Sequence, residues 1–139
     1  MTAIAADSFP FNTARPGVTA GAPNTLLRLE GVAVMLGAGF GYQLIHGGWP
    51  MFALLFLVPD LSMLGYFAGK RIGAIAYNTG HSYLGPAALA AVGFAPHMPI
   101  LHALALIWAA HIGFDRALGY GLKYAAGFGV THLGFKTGR

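Results

Sequence analysis

Four long apolar runs organise this chain, at about residues 26–45, 50–69, 72–94 and 99–118, and its bases respect every one of them. Arg15 and Arg28 stand at the start of the first run, and Lys70 and Arg71 join the second to the third. Arg116, Lys123, Lys136 and Arg139 close the fourth and follow it. The first–second connector, HGGWP, and the third–fourth connector, APHM, contain neither Lys nor Arg. Each run approaches the roughly 20 residues that a helix needs to cross a bilayer. Connectors this short force neighbouring helices to run antiparallel. Bases confined to alternate connectors follow the positive-inside rule, with Trp49 as an aromatic at the opposite interface. The pattern predicts an all-α, polytopic membrane protein: four transmembrane helices in an antiparallel bundle, with N and C termini cytoplasmic.

Composition supports that reading. Charged residues make up 9% of the chain, whereas a soluble domain carries about a quarter, so a water-exposed surface cannot be assembled from this stock. The formal net charge of +4 is scattered, and membrane orientation accounts for it without nucleic acid. The chain lacks cysteine, which excludes disulfides, thiolate metal sites and a cysteine nucleophile. Residues 1–25 read as a flexible cytoplasmic tail without signal-peptide character, residues 26–118 as the transmembrane domain, and residues 119–139 as a cytoplasmic or interfacial segment. In the last of these, Gly, Tyr and Phe abound, and lysines can face anionic lipid.

The unusual stretch is NTGHSYLGP, residues 78–86, which sets Asn78, Thr79, His81, Ser82 and Tyr83 inside an apolar run. Buried ionisable groups in a membrane cost about 2.5–3.5 kcal/mol each and persist where they face the bundle interior and find partners. Counting from the basic connector, Asp60 and His81 both fall about 15 Å deep at 1.5 Å per residue. His111 and Asp115, four residues apart, stack on one helix face nearer the cytoplasm. Asp115 is expected to hydrogen-bond His111, and Arg116 to snorkel outward. Asn78, His81 and Ser82 share a face by the same spacing rule, and Glu30 sits near the cytoplasmic entrance. Pro59 and Pro86 interrupt their helices, as in sites built from broken helices. NTGHSYLGP then reads as the polar wall of an internal site opposite Asp60.

Two carboxylates and two imidazoles, Asp60, His81, His111 and Asp115, form a donor set suited to Zn, Mn or Fe. In an enzyme, Glu30, Asp60 and His81 would be the catalytic candidates, with Asn78, Ser82 and Tyr83 lining a polar pocket. The same groups can instead form a proton-active pocket, or a hydrogen-bonded core that only fixes helix packing. GHSYLG departs from the G-x-S-x-G elbow because Gly85 comes one residue late. GAGFG, residues 37–41, lacks the dinucleotide fingerprint and reads as a small-residue packing face. His46, His97 and His102 belong to the far interface, and His132 is a candidate cap for the cytoplasmic mouth.

LLRLEG at 26–31, PDLSMLGY at 59–66, YNTGHSY at 77–83, AHIGFDRALGYGLKY at 110–124 and THLG at 131–134 occur in order. In these strings the chain resembles a bacterial four-helix membrane family catalogued as domain of unknown function 4260. The resemblance covers about residues 26–134 and implies a bacterial inner-membrane location, but it carries no activity. Its motif positions fall on Glu30, Asp60, Asn78, His81, His111, Asp115, Arg116 and Lys123. Two functional classes remain open. One is a membrane-embedded, metal-dependent enzyme acting on a lipid-soluble substrate. The other is a non-enzymatic accessory, binding or transport subunit with a structural polar core. Membrane lipid is the expected partner of either, together with other membrane subunits or further copies of the chain.

Overall fold

The computed structural model describes residues 17–94 and 98–135. Asp7, Arg15, His97, Lys136 and Arg139 lie outside the described residues, as does most of the segment read as an N-terminal tail. Five α-helices account for most of the fold: α1 (Gly21–Leu44), α2 (Trp49–Leu55), α3 (Lys70–Gly80), α4 (Leu84–Phe94) and α5 (Pro99–Leu118). A 3-10 helix (Val58–Ala68) joins α2 to α3, and a two-residue antiparallel ribbon, β1 (Val130–Thr131) with β2 (Gly134–Phe135), closes the tail. The all-α expectation holds.

Helix α5 is the axis of the fold. It buries Ala103, Ala105, Ile107, Ala110, His111, Ile112 and Gly113 and packs against α1, α2 and α4. Its pairing with α1 is antiparallel, since Gly31 meets Gly113 while Gly41 meets Leu106. A Cβ on Gly113 would lie 2.7 Å from the Gly31 carbonyl oxygen and the Met35 nitrogen, so backbone touches backbone at this crossing. Gly37 and Gly39 have no such neighbour. Of the packing face expected at residues 37–41, Ala38 is buried and Gly41 meets Leu106 of α5, while the closest backbone approach is at Gly31 and Gly113. Toward the other end, Tyr42, Ala103 and Ile107 form an apolar knot with Phe52 and Phe56 of the α2 segment. Gly119, in the left-handed conformation at φ 85°, ends α5. There the N–H of Tyr120 reaches the Asp115 carbonyl at 2.8 Å, a Schellman stop that glycine permits.

The second and third apolar runs do not form continuous α-helices. Pro59 has no N–H to give, and the chain tightens: Asp60 N–H reaches Leu57 O at 3.1 Å, a three-residue spacing. The 3-10 form continues for eleven residues, far beyond the three or four usual for it. Its three-fold repeat shows in exposure, since Leu61, Leu64 and Phe67 project outward while Asp60, Met63 and Tyr66 are half-buried. The expected third helix breaks at His81–Tyr83. Ser82 Oγ accepts the Leu84 N–H at 3.2 Å, starting α4 afresh, so Ser82 does not share a face of α3 with Asn78. Helix α1 also begins before its apolar run: Asn24 donates to Leu133 O at 2.7 Å, and Thr19 N–H reaches His132 O at 2.8 Å. Among the described residues, Trp49–Ala68 is the one helical stretch long and apolar enough to cross a membrane. The division of residues 70–94 into two eleven-residue helices leaves four crossings a matter for the functional reading below. Large apolar side chains nonetheless face outward on every helix, with Leu54 76% and Phe67 91% exposed.

Candidate metal centre

Two separate chain breaks and one long helix deliver the four donors. Asp60 sits in the first turn of the 3-10 helix, and His81 is the residue that ends α3. His111 and Asp115 come from successive turns of α5. One ligand atom from each lies within 4.8 Å of every other. His81 and His111 are 2% and 1% exposed. The carboxylate of Asp60 is the most open of the set at 31%, against 14% for Asp115.

The protonation state of His81 follows from its contacts. Its Nδ1 lies 3.0 Å from the Tyr77 carbonyl oxygen, which only accepts, so Nδ1 carries a proton. In the neutral ring, Nε2 then offers a lone pair. That lone pair faces Asp60 Oδ1 at 3.4 Å and Asp115 Oδ2 at 3.4 Å. Three electron-rich atoms converging in a buried space form a place that a proton or a metal ion can occupy. Four donors about 2.0–2.1 Å from a zinc ion at tetrahedral angles stand about 3.3–3.4 Å apart. The measured edges are 3.4, 3.4 and 3.5 Å, the last from His111 Nε2 to Asp60 Oδ1. The His81–His111 Nε2 pair stands at 3.2 Å. Octahedral sites with bonds near 2.1 Å bring neighbours to about 3.0 Å. Four of the six donor pairs approach the tetrahedral spacing, while the ligand atoms as a set spread to within 4.8 Å of one another.

The surroundings hold two ligands firmly. Tyr77 stacks on His81 with ring centroids 3.7 Å apart, and its hydroxyl donates to Asp115 Oδ2 at 2.9 Å. One residue thus orients an imidazole and a carboxylate, the outer support expected of metal ligands. Asp115 turns to Tyr77 and His81 rather than hydrogen-bonding His111 as expected, because α3 approaches that face of α5. The Nδ1 of His111 is buried without a partner, so this ligand lacks an outer hydrogen bond. In the metal-free protein, a proton on His111 Nε2 directed at His81 Nε2 satisfies that pair.

Arg116 corrects the expectation of an outward, snorkelling side chain. It donates to the carbonyl of His81 at 3.2 Å, capping the end of α3, because a broken helix leaves carbonyls to satisfy. The remaining candidates lie around the cluster rather than in it. Asn78 is committed to the tail, donating to Lys123 O at 2.9 Å and accepting Lys123 N–H at 2.7 Å. Ser82 serves α4, Tyr83 is exposed beside a cavity between α1, α4 and α5, and Glu30 is exposed on α1. Sequence reasoning overlooked Tyr77, although its place four residues before His81 put it on the same helix face. It also overlooked Trp108, which donates to Gly80 O at 2.6 Å and braces the break from α5.

Lys123 completes the neighbourhood. Although it belongs to the tail, it is only 5% exposed, with its ammonium 3.1 Å from the Phe128 ring centre and 4.1 Å from that of Tyr77. Burial pushes its pKa down to about 8, against the opposing pull of Asp115 and Asp60. His132 accepts the Leu122 N–H through Nδ1 at 2.8 Å and pins the tail that carries Lys123.

Fold and site together define a helical bundle with a buried His/Asp centre that can hold a metal ion. The chain belongs to the family described as a domain of unknown function (DUF4260), which it matches over residues 24–135. No curated protein and no solved structure matches it.

Proposed function

We propose that this chain is a multi-pass protein of the bacterial inner membrane, with four crossings and cytoplasmic termini, and that it is a zinc-dependent enzyme acting on a lipid-soluble substrate. The observation that carries the reading is the lone pair of His81 Nε2 facing two carboxylate oxygens at tetrahedral-edge distances. The membrane part rests on the one-sided bases, the outward apolar side chains and the apolar Trp49–Ala68 stretch. The broken α3–α4 unit then counts as one crossing, its freed backbone groups satisfied by Arg116, Trp108 and Ser82 as buried interruptions require.

His81, His111 and Asp115 are the buried ligands, and Asp60 is the exchangeable one, being the most open. Bound zinc supplies an electrophile for a carbonyl or phosphoryl oxygen and lowers the pKa of a coordinated water. The carboxylate of Asp60, the most exposed of the four donors, would be placed to take up or return a proton. Tyr77 keeps His81 and Asp115 in register throughout.

One observation favours a structural core instead: Asp60 and Asp115 are already balanced in charge by Arg116 and Lys123 nearby. Metal content decides between the two. Protein purified in mild detergent and reconstituted with zinc should hold about one ion per chain, lost when Asp60→Asn and His81→Asn are combined. Wild-type protein without stoichiometric metal would leave the cluster as packing.

A further inference from the structure

Beside the metal centre runs a groove of about 370 Å³ between the 3-10 helix, the end of α3, α4 and α5. That volume lies within the range of small-molecule sites. Its wall holds chain neighbours of three donors rather than the donors themselves: Pro59 precedes Asp60, Gly80 precedes His81, and Trp108 lies one turn before His111. Its wall is apolar, with Val58, Leu89 and Leu104 among its residues. Two polar side chains reach it. The indole N–H of Trp108 is spent on Gly80 O, and Ser62 Oγ is buried without a partner. Gly80 makes room here, since a Cβ would meet Ser62 Oγ at 2.9 Å. Val58 carries the wall to the outer surface.

Charge specifies the other end of the occupant. Asp60 and Asp115 carry two negative charges, and Arg116 and Lys123 two positive ones. A divalent ion adds two more positive charges in surroundings where an unbalanced charge is costly. One terminal nitrogen of Arg116 is bound to His81 O, while the other is buried and unpartnered. Lys123 is met by aromatic faces. The loaded site is therefore short of an anion.

We infer that this groove takes the hydrocarbon chain of a single-chain amphiphile whose anionic oxygen head group, carboxylate or phosphate monoester, sits at the metal centre. The inference rests on the metal reading above and supplies its substrate class. A larger cavity of about 730 Å³ between α1, α4 and α5 has no residue next in sequence to a donor in its wall, whereas Pro59 and Gly80 of the groove adjoin Asp60 and His81.

The test uses full-length protein in phosphatidylcholine nanodiscs, with Trp49→Phe so that Trp108 is the remaining tryptophan. Quenching of Trp108 is titrated with 11-bromoundecanoate, 11-bromoundecyl phosphate and 11-bromoundecanol, and bound zinc is measured directly on the same samples. Zinc-loaded protein should bind one or both anions about tenfold tighter than the alcohol, and chelation should erase the difference. Leu89→Phe with Leu104→Phe, which fills the groove, should abolish quenching while zinc stays bound. Zinc present with equal affinity for all three chains, or quenching that survives the filled groove, overturns the inference and leaves the metal reading standing. Absence of zinc from the wild type overturns both, and the direct metal measurement tells the cases apart.

Discussion

Replacing Tyr77 with Phe isolates one hydrogen bond in the metal centre. The ring keeps its stack on His81 and its face toward Lys123, so what disappears is the hydroxyl's 2.9 Å bond to Asp115 Oδ2. Loss of an outer-shell partner of this kind lowers metal affinity about 10–100-fold, which corresponds to about 1.4–2.7 kcal/mol. The metal-free protein should lose about 1.5–3 kcal/mol, the usual worth of a hydrogen bond to a charged group, because Asp115 is then left half-buried with one partner fewer. Zinc affinity is read by competition with a chromophoric chelator in detergent, for wild type, Tyr77→Phe and Asp115→Asn. The last removes a charged ligand oxygen and should weaken binding more than Tyr77→Phe does. Unchanged zinc affinity in Tyr77→Phe, or Asp115→Asn binding as well as Tyr77→Phe, would refute the assignment of Tyr77 as support for a liganding Asp115.

Asn78→Ala removes both hydrogen bonds to the Lys123 backbone. It should cost about 2–4 kcal/mol and speed proteolysis of the tail without loss of helical circular dichroism; unchanged cleavage would count against the clamp. Gly113→Ala puts a methyl group against α1 backbone and should destabilise by at least about 1–3 kcal/mol, so a neutral effect on thermal unfolding would contradict the close crossing. Lys123 has a folded pKa of about 8, below its unfolded value near 10.4. Its burial therefore penalises the protein fully below pH 8, and the penalty fades as pH rises through 8 to 10.4. Stability of the metal-free wild type should climb over that window relative to Lys123→Gln, and parallel profiles would refute the buried amine. Cysteines introduced at His46 and at Lys70 should label from opposite sides of the membrane; labelling of both from one side would refute four crossings.

The donor set was legible in the sequence because depth along a helix is a simple count. Asp60, ten residues before Lys70, and His81, ten residues after Arg71, came out at similar heights by that count, although the 3-10 form of residues 58–68 rises about 0.5 Å more per residue than the α-helix assumed. The four-residue spacing of His111 and Asp115 put both on one face. Helix breaks were legible only in part. Pro59 and Pro86 announce theirs, the second about one turn after the gap at 81–83, but the bracing of the His81 end by Arg116 and Trp108 from α5 has no local pattern. The role of Asn78 was hidden for the same reason: its partner lies 45 residues away in a tail without periodicity. Hydropathy marked which residues avoid water, while the choice between a ligand and a brace was made by chain closure.

The placement of His111 and Asp115 on the last helix has a consequence for biogenesis. A nascent chain that has released the 3-10 helix and α3 holds Asp60 and His81 with nothing to complete them, and two donors bind a metal weakly. Only when α5 enters and the tail locks through Asn78 and Thr19 does the full set exist. A metal held by this set would therefore be loaded only after α5 has been made, and a ribosome stalled before α5 would leave a product without the full set of donors.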